Sequence, residues 1–279
     1  MSTMTLGRVS LRVNDLVKQK NFYQEVIGLH IIEETSQKVE LGIKETGEVL
    51  VSLVTSSKGY QSEKTTGLYH LALLLPSRIA LSGFLRHLIE IKAPLIGAAD
   101  HGYSEAIYLE DLEGNGIEIY ADKPLDKWDI QTDGKIKGVT LELDAEDLFS
   151  LTDQSIKKMP IGTKMGHVHL SVADFKANEQ FYGETLNFQL TDDLGGHARF
   201  FSVDGYHHHI GVNNWQGIGI KKREGHHLGL DYYQMMWEKE SFEQLKAHLK
   251  KQEVAFFEVN DQEFHLVDPN GILIQMHVN

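Results

Sequence analysis

The strongest constraint on this chain is that it contains one stretch twice. Gly7-Arg8-Val9-Ser10-Leu11-Arg12-Val13-Asn14-Asp15, with Phe22-Tyr23 after it, recurs as Gly166-His167-Val168-His169-Leu170-Ser171-Val172-Ala173-Asp174, with Phe181-Tyr182 after it. Gly7 to Gly166, Asp15 to Asp174 and Tyr23 to Tyr182 all lie 159 positions apart. Gly, Val, Leu, Val, Asp, Phe and Tyr are identical at that single offset, so the chain is an internal duplication. Each copy alternates apolar and polar residues as a half-buried strand does. An aspartate placed to cap an amphipathic helix follows. In the first copy Gly28 ends that helix, a position that favours positive φ.

The rest of each half completes a repeating plan. After the first helix come strand candidates 29–34, 38–43 and 48–54. A second unit starts near Leu68, carries a helix over about 79–91, and closes with strands 105–109 and 117–121 around the turn Asp111-Leu112-Glu113-Gly114-Asn115-Gly116. The third unit spans 166–213. The fourth begins near Gly225, carries a helix over about 241–252, and ends through Asp268-Pro269-Asn270-Gly271. In this last part the offset becomes 157, relating His70 to His227, Asp111 to Asp268 and Gly114 to Gly271. The chain is therefore expected to be an α+β protein of four βαβββ modules. Residues 1–123 form one paired domain, 124–164 a linker and 165–279 a second paired domain. The linker is expected to pack on the surface, with a strand over 136–143 and a short helix over 145–152.

Composition excludes several classes. An apolar fraction of 41% supports packed cores. No apolar run reaches the roughly 18 residues of a membrane span, and no signal-peptide pattern precedes the first strand, so a cytoplasmic protein is expected. A formal charge of −13 disfavours nucleic acid as a partner. The absence of cysteine removes disulfide and thiolate chemistry. The count that stands out is histidine, 15 residues with several adjacent. That count directs attention to metal binding or acid–base catalysis.

Four βαβββ units in two pairs, with Asp-X-X-Gly-X-X-X-(Glu/Gln) closing the second unit of each pair, resemble the vicinal oxygen chelate superfamily, the glyoxalase and extradiol dioxygenase fold. The motifs GHVHLSVAD, DGYHHHIGVNNW, HGYSEAIYL and DLEGNGIEIYAD are most similar to bacterial catechol 2,3-dioxygenases of the type I extradiol class. The resemblance implies that each pair of units curls around one cavity. Metal ligands would come from the first strand of both units and from the last strand of the second.

Carried over by position, those ligands are His167, His227 and Gln275 in the second half, against Arg8, His70 and Glu118 in the first. An amide oxygen can coordinate a metal and a guanidinium cannot, so the second half is the expected metal site. Arg8 is expected to pair with Glu118 across a cavity without metal. The resemblance also assigns His208 as the acid–base histidine beside substrate. It places His265 at the substrate-contacting position that Tyr108, with His101 upstream, occupies in the first half. Strand alternation would send His208 to the face opposite His207 and His209. His169 shares a face with His167.

The implied function is a metal-dependent extradiol dioxygenase that cleaves a catechol-like substrate with O2, using Fe(II), with Mn, Zn or Ni as alternatives. Two other readings stay open: a glyoxalase-like isomerase or lyase, and a metal-free binding protein for a small aromatic or antibiotic. Homo-oligomerisation is left undecided by the sequence.

Overall fold

The computed structural model describes residues 3–56, 64–224 and 227–279. All four expected units are present. Their leading strands are Met4–Val13, Gly67–Leu74, Lys164–Ser171 and Gly229–Trp237; their closing strands are Glu48–Thr55, Gly116–Asp122, Ile210–Asn213 and Leu273–Val278. Within every unit the leading strand runs parallel to its closing strand, the crossover that the intervening helix permits. Asp15 and Asp174 cap their helices by accepting from Lys18 N and Lys176 N. Gly28 takes φ 88° where the first helix ends. No helix among the described residues is long and apolar enough to cross a membrane.

The units do not pair within each half. The nine-stranded sheet joins units two and three, and the eight-stranded sheet joins units four and one. Leading strands meet antiparallel at each junction, His169 opposite His70 in one sheet and Ser10 opposite Tyr232 in the other. The expectation that 1–123 and 165–279 each close around their own cavity is therefore corrected. Strand periodicity fixes which face of a strand is buried, but a leading strand's free edge carries the same backbone donors and acceptors whichever edge comes to meet it.

The two halves keep their identity in another way. Tyr23, on the first unit's helix, donates its hydroxyl to Asp111 Oδ2 at 3.2 Å, and Tyr182 donates to Asp268 Oδ2 at 3.1 Å. Each bond runs between the two sheets but within one half of the duplication. The repeated Tyr and the repeated Asp-X-X-Gly turn are thus two ends of one buried tie. Asp111 Oδ1 also accepts from the backbone N–H of Glu113 and Asn115, which shapes the turn. The apolar core runs unbroken through both sheets, with Val9, Leu11, Val168 and Leu170 fully buried at its centre.

The linker does more than cover the surface. Its helix Ala145–Ser150 is capped by Asp144, and Leu141–Glu142 adds a strand to the edge of Gly97–Asp100. Ile136–Lys137 instead pairs with Asp129–Ile130. Between them Gly138, Val139 and Thr140 form part of a cavity wall.

Candidate metal centre

The cup of the nine-stranded sheet encloses a cavity of about 520 Å³, a size suited to a small organic ligand. At its floor His70, Glu118 and His167 converge, all buried. His70 Nε2 lies 3.2 Å from His167 Nε2, and Glu118 Oε2 lies 3.1 Å from the former and 3.3 Å from the latter. Three mutually adjacent donors about 3 Å apart are what bonds of about 2.1 Å to one ion require. Two imidazoles and one carboxylate make up the donor set of the non-haem iron facial triad.

Their protonation suits ligation. Burial pushes the Glu118 carboxyl up, but His167 and His70 beside it outweigh that and hold it well below the usual carboxylate range. Burial pushes His167 down to about 4, against the pull of Glu118. At neutral pH the site therefore presents an ionised carboxylate beside a neutral imidazole at His167, the forms a cation binds. Gly166 permits this approach, since a Cβ there would sit 1.9 Å from the Tyr120 hydroxyl.

The structure brings only one of the three expected ligands, His167, into this cluster. Gln275 is on the eight-stranded sheet, where its Oε1 accepts from Gln234 Nε2 at 3.0 Å. His227 precedes the leading strand of that same sheet, and its Nδ1 accepts from Glu224 N at 3.2 Å. The strand register explains the misassignment. His70 stands opposite Gly116 and Tyr232 opposite Leu273, so the fourth-unit counterpart of His70 is Tyr232, five residues on from His227. A constant offset from the closing turn cannot see that the fourth leading strand is displaced.

The eight-stranded sheet thus carries Arg8, Tyr232 and Gln275 where its partner carries His167, His70 and Glu118. Arg8 does not approach Glu118; its guanidinium pairs with Glu40, and its Nε donates to Gln234 Oε1 at 3.2 Å. No second group of three ligating side chains occurs among the described residues.

His208 and His265 also separate. The His208 ring lies 4.2 Å from the His167 ring and forms part of the cavity wall. His265 stands opposite Gln275 on the other sheet, where its Nε2 bonds Glu263 Oε1 at 2.6 Å. Its counterpart Tyr108, opposite Glu118, does face the cavity. His101 Nδ1 lies 2.9 Å from Val139 O, which can only accept, so Nδ1 carries the proton and Nε2 accepts from the Tyr108 hydroxyl at 2.6 Å. Burial, then the Glu118 charge, pushes the Tyr108 phenol well up, keeping it protonated.

The three consecutive histidines precede the closing strand, which begins at Ile210, so strand alternation does not apply to them. His207 and His208 sit ring to ring, with their Nδ1 atoms 2.8 Å apart. His169 also faces the cavity, beside Tyr69 and Trp215. Sequence reasoning did not select Phe200, Trp215 or Val139 as wall residues. Only the tryptophan, at the end of the DGYHHHIGVNNW run, had offered any signal.

Fold and site together place the chain in a family. Residues 5–119 and 164–276 match the Glyoxalase/Bleomycin resistance protein/Dioxygenase superfamily, and the chain belongs to it. It is 35% identical to the catechol-2,3-dioxygenase of Bacillus subtilis (strain 168) over 267 residues, covering 95% of this chain and 93% of that protein. Solved structures share the fold at low identity. Glyoxalase I from Zea mays superposes with TM-score 0.59 at 13% identity, covering 99% of this chain and 93% of that one. The cppA protein from Streptococcus pneumoniae gives 0.56 at 13% identity, covering 99% and 100%.

Proposed function

We propose that this protein is a metal-dependent extradiol dioxygenase, cleaving the ring of a catechol-like diphenol with O2. The observation that carries the reading is the buried His70–Glu118–His167 cluster at the floor of a largely apolar cavity, with His208 beside it. The catechol-2,3-dioxygenase relative adds support along almost the whole chain. A ferrous ion held by the three side chains would supply a Lewis-acid centre with open positions for both diphenol oxygens and O2.

The chain's own residues do the rest. Tyr69, Phe200 and Trp215 offer aromatic faces to a planar ring and keep water out. His208, held below its ordinary pKa by burial and by the neighbouring imidazoles, is neutral and can take a proton from a diphenol hydroxyl. Tyr108, with its one O–H given to His101 Nε2, keeps an oxygen lone pair that can accept from a hydroxyl of the bound ring. Val139 closes the wall from the linker, so the cavity is completed by a segment outside the duplication.

The test is metal content and oxygen uptake after anaerobic loading with Fe(II). Catechol and O2 should be consumed one to one, and His70→Ala, Glu118→Ala and His167→Ala should each lose the metal. His227→Ala and Gln275→Ala should retain it. If those two lose the metal and His70→Ala keeps it, the assignment of the centre is wrong. Tight zinc or nickel binding with no oxygen uptake would instead favour a glyoxalase-like reaction.

A further inference from the structure

We infer that His207 and Asp122 are positioning residues that fix the tautomer of His208, leaving its Nε2 unprotonated toward the cavity. This rests on the reading of His208 as the acid–base group, and it assigns work to two residues that reading does not use. A continuous hydrogen-bonded chain carries it. His208 Nδ1 lies 2.8 Å from His207 Nδ1, and His207 Nε2 lies 3.0 Å from Asp122 Oδ1. The other carboxylate oxygen, Oδ2, accepts from the Tyr206 hydroxyl at 3.0 Å, and Tyr206 in turn bonds the Tyr120 hydroxyl at 2.8 Å.

The direction of the chain follows from what each atom can do. A carboxylate only accepts, so His207 must carry its proton on Nε2. In a neutral ring that leaves the His207 Nδ1 lone pair free, and the bond to His208 then needs a proton on His208 Nδ1. His208 Nε2 is left as the acceptor, on a side chain that lines the cavity. A proton on the wrong nitrogen of either ring would set two N–H groups or two lone pairs face to face at 2.8 Å.

Packing holds the rings in register. The Tyr103 ring stacks on His207 at 4.2 Å and 11°, with Trp128 5.2 Å away on the linker side. His207 itself is buried, at 1% exposure. Asp122 ends the closing strand of unit two, whereas His207 and His208 belong to unit three. The same junction that assembles the metal ligands therefore assembles this support.

The experiment is a long-range ¹H–¹⁵N correlation spectrum of the metal-free protein labelled at histidine, near pH 7.5, with steady-state kinetics on the iron-loaded enzyme beside it. We expect His207 as the Nε2–H tautomer and His208 as Nδ1–H. In Asp122→Asn, Tyr206 keeps the amide oxygen and the NH₂ faces His207, so both tautomers should reverse. With the base lost, kcat should fall about 10²-fold or more while KM stays within about threefold. A merely structural role would lower the melting temperature or raise KM and leave the tautomers in place.

The inference is overturned if His208 carries its proton on Nε2 in the unmodified protein, or if His207 is doubly protonated. It is equally overturned if Asp122→Asn changes neither tautomers nor kcat. Should the variant not fold, the spectrum of the unmodified protein decides alone. Because that spectrum needs no metal and no turnover, its failure is separable from failure of the dioxygenase reading.

Discussion

His209, the last of the three adjacent histidines, should make the metal-free protein sensitive to acid without taking part in its chemistry. It is buried, its Nδ1 bonds Ser202 Oγ at 2.8 Å, and it faces away from the cavity at His167 toward a second hollow lined by Trp128 and Lys164. Burial, then the neighbouring His207, pushes it down from 6.5 to about 3. Its folded pKa lies below its unfolded value, so the unfolded chain takes up a proton first as the pH falls. Stability from this group is complete above pH 6.5 and is lost progressively toward pH 3. At about 1.36 kcal/mol per pH unit, the fall between pH 6.5 and 4.5 comes to about 3 kcal/mol. His209→Gln removes the titration whatever it does to the Ser202 bond, so the diagnostic is the slope with pH and not the absolute stability. Urea melts of both proteins at pH 7.0, 5.5 and 4.5 measure it. With a slope of about 3 kcal/mol/M, the variant should lose about 1 M less in midpoint than the parent over that range. The variant should also still bind metal. Parallel pH profiles for the two proteins would refute the reasoning.

Other expectations follow from single contacts. Tyr182→Phe leaves the buried Asp268 carboxylate, whose pKa burial already raises, without the Tyr182 hydroxyl, and should cost about 1–3 kcal/mol in denaturant melts. Gly166→Ala drives a methyl into Tyr120 beside His167; it should cost about 1–3 kcal/mol and weaken metal retention, read by melting temperature and metal analysis. Tyr108→Phe removes the hydrogen-bonding phenol opposite Glu118 and should lower kcat about 10-fold or more with the metal still bound, since the phenol is not a ligand.

Much of this protein is legible in its residues. The single offset of 159 between Gly7 and Gly166 announces the duplication, and alternation plus capping aspartates give the units. These are local properties: a strand's buried face and a helix's start are written within a few residues of themselves. His167, His70, Glu118, His208 and Tyr108 could all be picked out by position. What could not be read was which of them meet. Taken within its own half, neither set is complete, because Arg8 stands where the first half needs a ligand and Gln275 where the second needs a carboxylate. Edge-to-edge pairing of the leading strands decides the matter, bringing His167 from one half to His70 and Glu118 of the other. It likewise gathers Arg8, Tyr232 and Gln275 into the cup that lacks a ligand set. Backbone edges are chemically alike, so no residue pattern distinguishes the pairing of units two and three from that of one and two. The register at Tyr232 has the same origin: position in a strand is set by the neighbour it bonds and not by distance along the chain. The sequence by itself determined the modules and the stock of chemical groups, and the tertiary structure alone decided that two imidazoles and a carboxylate converge in one cup.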